Sequence, residues 1–228
     1  MSPSGLFVPG FAARGNLYEP GLPPGWVASS PPRLAATGGR FGAYRRWLRR
    51  EVESRSGPVV LAGHSMGAAL AICAASESPD LVERLILVSP AGVPLSKPIL
   101  DSFLVLARQA VHGLFPLDEV VFVVGETVRH PLAAYRLARE AHDLDLAAEL
   151  DKVAAASIPT LVVACRSDTL TTPAICSEVA GRLAADYREV DGDGHMWMLT
   201  DWPSFRAVLS AGDRGELSRA HELPSSRG

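Results

Sequence analysis

Between Val59 and Ala71 the chain passes without a loop from an unbroken apolar run, Val59-Val60-Leu61-Ala62, through Gly63-His64-Ser65-Met66-Gly67 into the helix-forming run Ala68-Ala69-Leu70-Ala71. An apolar run with no polar alternation reads as a strand buried on both faces, and such strands belong to parallel sheets covered by helices. The junction has the pattern G-x-S-x-G. A serine on so sharp a turn sits in strained backbone, and glycines two positions to either side let strand and helix pass closely. The following helix points its free N–H groups and the positive end of its dipole at the same spot. Ser65 is therefore the candidate nucleophile.

The remainder of the chain repeats this β-then-α alternation. Leu6 to Val8, Leu85 to Val88 and Thr160 to Ala164 read as further buried strands. Trp26 to Ser29, hemmed in by prolines, and Asp186 to Val190 are weaker candidates suited to sheet edges. Helix-length segments lie between them, among them Ala43 to Glu53, Met66 to Ala75 and Ile175 to Ala184. This order favours a parallel sheet with helices on both faces. The alternation breaks between Gly92 and Ser157. There Ser102 to Val111, Leu117 to Val128, Ala133 to His142 and Leu144 to Ala154 look helical and no strand is evident. We therefore divide the chain into a core formed by residues 1–94 and 156–210, a helical cap insertion over 95–155, and a polar, flexible tail over 211–228.

Composition narrows the function classes. The 228 residues are 47% hydrophobic, enough for a full core in one domain, and the formal net charge of −3 offers no basic field for a nucleic-acid backbone. Cys73, Cys165 and Cys176 cannot all pair with one another and lack the short spacings of zinc or redox sites. Free thiols in a reducing compartment are expected. No apolar run approaches the ~18 residues of a membrane span, and no export signal precedes the strand at Leu6. We expect a cytoplasmic protein without metal or cofactor.

A nucleophilic serine needs a base delivered from elsewhere in the fold. His64 adjoins Ser65 in sequence, which does not carry its ring to the serine hydroxyl; it is expected to pack near the turn. Asp191-Gly192-Asp193-Gly194-His195 follows the last strand candidate, on a loop that can fold over the sheet's carboxyl edge. His195 is the candidate base. His112, His130 and His142 fall in the insertion and His221 in the tail, where surface or packing roles suffice.

Together these residues resemble the α/β-hydrolase superfamily, in the serine esterase and lipase branch with a Gly-His-Ser-Met-Gly nucleophile elbow. The resemblance extends to about Leu209 and includes the chain order Ser65, Asp168, His195. Arg166-Ser167-Asp168-Thr169-Leu170-Thr171-Thr172-Pro173 looks like the family's acid loop, which implies that Asp168 orients the histidine. Asp191 and Asp193, each beside a glycine, are expected to set the backbone of their own loop. Leu6-Phe7-Val8-Pro9-Gly10-Phe11 is similar to the family's oxyanion strand and loop, with Pro9 where a histidine is common. The resemblance carries the two backbone donors onto Phe11, with Ala12 as the fallback, and Met66.

The implied reaction is cleavage of a carboxylic ester through an acyl-enzyme, with a small-molecule acyl ester as substrate. A thioesterase, an acyltransferase or a carbon–carbon bond hydrolase would use the same triad, and a small-molecule receptor with little turnover is a further alternative. A serine at the elbow argues against dehalogenase and epoxide-hydrolase chemistry, for which related enzymes place aspartate there. Phe103, Leu106, Phe115 and Phe122 of the insertion either line an acyl pocket or form the cap's own core. The chain has no room for the pair of strands that normally precede Leu6, one of which is antiparallel. The expected α/β-hydrolase fold is thus truncated to a wholly parallel sheet of about six strands, in family numbering 4-3-5-6-7-8. Its edge near Trp26 would be left open or covered by a second copy, so monomer and homodimer both remain open.

Overall fold

A computed structural model describes residues 5–95, 98, 101, 105 and 116–211. Its sheet contains β1 (Gly5–Val8), β2 (Trp26–Ala28), β3 (Val59–His64), β4 (Val82–Val88), β5 (Thr160–Cys165) and β6 (Asp186–Val190). The order is β2-β1-β3-β4-β5-β6 and every pairing is parallel, which is the truncated sheet expected from the sequence. All residues of β1, β3 and β5 are buried, whereas at the two edges β2 is half-buried and β6 is largely exposed.

Alternate residues of each central strand enter two different cores, as the two-residue repeat of a strand requires. Leu6, Val8, Leu61, Leu85, Leu87 and Val162 face the helical layer. That layer includes α1 (Leu34–Thr37), α2 (Phe41–Glu53), α3 (Met66–Glu77) and three further helices introduced below. Phe7, Val60, Ala62, Ile86, Val88 and Val163 face the opposite side. Tyr18, Trp197 and Phe205 seal that second core, with Phe7 and Phe205 edge to face at 5.4 Å. They come from short 3-10 turns and from α8 (Trp202–Ser210), whose N-cap Asp201 accepts a hydrogen bond from the Ser204 N–H at 3.1 Å. Helix α3 is buried from Met66 to Ala75, as an all-round apolar helix at the centre of a domain should be.

Within the predicted insertion the helices are α4 (Leu117–Arg129), α5 (Pro131–His142) and α6 (Ala147–Ala155). The helix expected over Ser102 to Val111 lies outside the described residues apart from position 105. Leu150 and Val153 of α6 are buried in the same cluster as α3, so α6 works as the crossover that returns the chain from β4 to β5. Helix α5 supplies something that the local sequence of α2 lacks. No side chain at the start of α2 caps it, and the carboxylate of Glu140 instead accepts the Phe41 N–H at 2.7 Å. Arg45 of α2 also binds Glu149 of α6 at 2.8 Å. Helix α7 (Pro173–Leu183) opens with Thr172 as N-cap and Pro173 at its first position, and packs on β5.

Candidate active site

Ser65, Ser89, Asp168 and His195 follow the carboxyl ends of β3, β4, β5 and β6 in turn, at the edge of a parallel sheet where ligands bind. Ser65 has φ 54° and ψ −120°, a region that a residue with a Cβ enters only at a cost of order 1–3 kcal/mol. The surroundings hold it there. Its N–H donates to the Val88 carbonyl at 3.0 Å, and its carbonyl accepts the N–H groups of Ala68, Ala69 and Ala91. A Cβ on Gly63 would lie 2.5 Å from the Gly67 carbonyl, and one on Gly67 would lie 2.2 Å from the Val8 carbonyl oxygen. Both glycines are therefore steric requirements of the turn, and Gly67 is also what lets α3 approach the end of β1.

Asp168 and His195 are fully withdrawn from solvent and bonded to each other, His195 Nδ1 to Asp168 Oδ2 at 2.8 Å. A carboxylate only accepts, so the Nδ1 position carries the proton and Nε2 is left as the basic nitrogen. Asp168 is itself fixed on its other oxygen, where Oδ1 accepts the N–H groups of Leu170 at 2.8 Å and Thr171 at 3.1 Å. Burial alone would push its carboxyl up. The adjacent His195 ring, together with the donors at Leu170 and Thr171, outweighs burial and holds it below the ordinary carboxylate range. Asp191 and Asp193 are exposed, and Asp191 pairs with Arg166 at 2.8 Å on the surface.

Three neighbours of this pair were not singled out by sequence reasoning. Thr171 Oγ1 stands 2.9 Å from Asp168 Oδ2, 3.2 Å from His195 Nδ1 and 3.1 Å from the Ser89 carbonyl oxygen. Ser167 accepts the Gly194 N–H at 2.8 Å and donates to the Gly192 carbonyl, tying the loop after β5 to the loop that carries His195. Tyr18 OH lies 3.0 Å from His64 Nδ1, and His64 Nε2 lies 3.0 Å from the His195 carbonyl oxygen. Because that carbonyl can only accept, His64 Nε2 bears the proton and Nδ1 accepts from Tyr18. Burial first, and the nearby His195 second, push the His64 imidazole down to about 3. His64 thus does more than pack; it is a neutral bridge under the backbone of His195. Thr171 sits in the acid loop already quoted, whereas nothing local marks Tyr18.

Gly10, Ala12 and Met66, which flank or include the two candidate oxyanion donors, line one cleft. The chain turns after β1, with the Ala13 N–H on the Gly10 carbonyl at 3.2 Å and Ala12 at φ 54°. Among the described residues, neither the Phe11 nor the Met66 N–H has a backbone acceptor. Met66 is the first residue of α3, where such a free donor is expected. No hydrogen bond joins Ser65 Oγ to His195 among the described residues; such contacts commonly tighten only when substrate binds. Phe122 on α4 is half-buried, with the guanidinium groups of Arg14 and Arg33 over its ring at 4.8 and 5.8 Å. Phe103, Leu106 and Phe115 lie outside the described residues, as do His112 and His221. Among the described residues no cluster of His, Cys, Asp or Glu has the makings of a metal site, and no helix is long and apolar enough to cross a membrane.

This chain belongs to the alpha/beta hydrolase family, whose model matches residues 6–207. Among solved structures it is similar to Est816, described as an N-acyl homoserine lactone degrading enzyme, with 18% identity, 93% of each chain covered and a TM-score of 0.72. It is also similar to a loop variant of the haloalkane dehalogenase DbeA from Bradyrhizobium elkanii, with 16% identity, 92% of this chain and 88% of the other covered, and a TM-score of 0.70. The thioesterase domain of the curacin biosynthetic pathway aligns at 17% identity over 91% and 90% of the two chains, with a TM-score of 0.62. No curated protein matches the sequence.

Proposed function

We propose that this hydrolase cleaves carboxylic esters through an acyl-enzyme formed on Ser65. His195 Nε2 takes the Ser65 proton as Oγ attacks the substrate carbonyl, and the backbone N–H groups of Phe11 and Met66 receive the oxyanion. The imidazolium then protonates the leaving alcohol, and water repeats the sequence to free the acid. Asp168 keeps the histidine in the required tautomer. The observation that carries this reading is the buried 2.8 Å contact from His195 Nδ1 to Asp168 Oδ2, with the carboxylate anchored by two backbone donors, beside a serine held at φ 54°.

Helices α4 and α5 are read as the substrate-facing part of the cap over 95–155, with residues 1–94 and 156–210 as the catalytic core. Neighbours that range from a thioesterase domain to a lactone-degrading enzyme and a dehalogenase are in keeping with one scaffold serving several reactions. Serine rather than aspartate at the elbow favours acyl transfer over dehalogenation. A fluorophosphonate probe should label Ser65 and leave Ser65→Ala unlabelled; labelling that persists in the variant refutes the assignment. A series of p-nitrophenyl esters beside matched acyl thioesters then tests the ester preference, which fails if thioesters are turned over faster.

A further inference from the structure

A cleft of about 340 Å³ opens beside the elbow, lined by Gly10, Ala12 and Met66 at one end and by Tyr44, Phe122 and Glu126 from the helices. Glu126 is buried, with only 6% of its surface exposed, and its Oε2 is sealed from solvent without a hydrogen-bond partner among the described residues. No other acid in the cleft resembles it. Outside the cleft lining, the buried Glu119, one turn of α4 earlier than Phe122, is satisfied by the Arg14 N–H at 2.8 Å and Arg14 Nε at 2.6 Å. Glu19, on the rim, is exposed to water.

The charges around Glu126 do not satisfy it. Arg14 is taken up by Asp118 and Glu119, each at 2.6 Å. Arg33 is exposed and lies over the Phe122 ring. The Tyr44 hydroxyl, which receives a hydrogen bond from Thr37 Oγ1 at 3.2 Å, makes none to Glu126. A carboxylate kept from water without a donor is costly, and a ligand that brings a charged N–H donor relieves that cost.

We propose that Glu126 recognises a cationic part of the substrate, so that the preferred ester carries a primary or secondary ammonium group on the chain seated in this cleft. This inference rests on the ester-hydrolase reading for the word ester, but the binding site itself does not. It is tested by calorimetry on the intact chain at pH 7 with n-hexylammonium, 1-hexanol and hexanoate, none of which needs turnover. Hexylammonium should bind about tenfold or more tighter than 1-hexanol, the scale of one charge-assisted hydrogen bond. Glu126→Gln should remove most of that advantage while leaving 1-hexanol binding unchanged, and its unfolding temperature should match or exceed the parent's. A purely structural glutamate would lower the unfolding temperature and leave the ligand order intact. Equal binding of hexylammonium and 1-hexanol by the parent protein, or tighter binding of hexanoate through Arg33, overturns the proposal without any variant. Failure to hydrolyse esters alongside a hexylammonium preference would sink the function proposed above and leave this site standing.

Discussion

Asp168→Asn replaces one oxygen by an NH₂ group and changes little in volume, so its effect isolates the tautomer of His195. The amide oxygen has one good place, the Oδ1 position, where the N–H groups of Leu170 and Thr171 donate at 2.8 and 3.1 Å. Turning the amide over would aim its NH₂ at both donors and strand them in a buried site, at ~1–3 kcal/mol each. In the retained orientation the NH₂ group faces His195 Nδ1, which must then accept and pass its proton to Nε2. Thr171 adapts, because its hydroxyl can accept from the amide while donating to the Ser89 carbonyl at 3.1 Å. A histidine protonated at Nε2 cannot take the Ser65 proton. Restoring the working tautomer costs the two stranded donors, together ~2–6 kcal/mol, which corresponds to a loss of roughly 30-fold to 3 × 10⁴-fold in kcat. The upper end agrees with the ~10⁴ known for the equivalent change in a serine protease. The measurement is turnover of p-nitrophenyl acetate, with thermal unfolding as a check on the fold. A folded Asp168→Asn within fivefold of the parent would refute the argument.

Other perturbations probe the supports of the site. His64 stays neutral in the fold at about 3 against ~6.5 when unfolded, so between those values the unfolded chain binds a proton that the folded one does not. Stability should therefore fall as pH drops from ~6.5 toward 3, with this residue contributing ~1.4 kcal/mol per pH unit; urea unfolding of His64→Gln should show a correspondingly shallower slope, and parallel curves would contradict the burial argument. Gly67→Ala places a Cβ 2.2 Å from the Val8 carbonyl oxygen and 2.4 Å from that of Pro9, backbone atoms that cannot swing aside. It should cost ~3 kcal/mol, or roughly 6–12 °C in calorimetric Tm, and an unchanged Tm would mean that α3 can retreat from β1. Thr171→Val removes a donor to Asp168 Oδ2 and should lower kcat by ~5–10-fold, from ~1–1.5 kcal/mol, with little change in KM; a pure KM effect would place Thr171 in substrate binding instead.

Much of this molecule is local enough to be written in neighbouring residues. The central strands are apolar runs because both faces of a parallel sheet are covered, and the strand order is the one that the family resemblance implied. Gly63 and Gly67 announce the elbow because no other residue fits against the Gly67 and Val8 backbones. The elbow and the loop that ends in His195 pointed to Ser65 and His195, and the family resemblance pointed to Asp168.

What the tertiary structure alone decided concerns groups that meet from distant parts of the chain. His64 is joined to Tyr18, 46 positions away, and to the His195 carbonyl, 131 positions away. Helix α2 is capped by Glu140 from α5, and Glu126, in the lining of the cleft that also includes Met66, has no donor among the described residues. Hydrogen bonds and burial depend on distance in space, and a hydroxyl, imidazole or carboxylate carries no sign in its local sequence of the partner that folding brings to it or withholds.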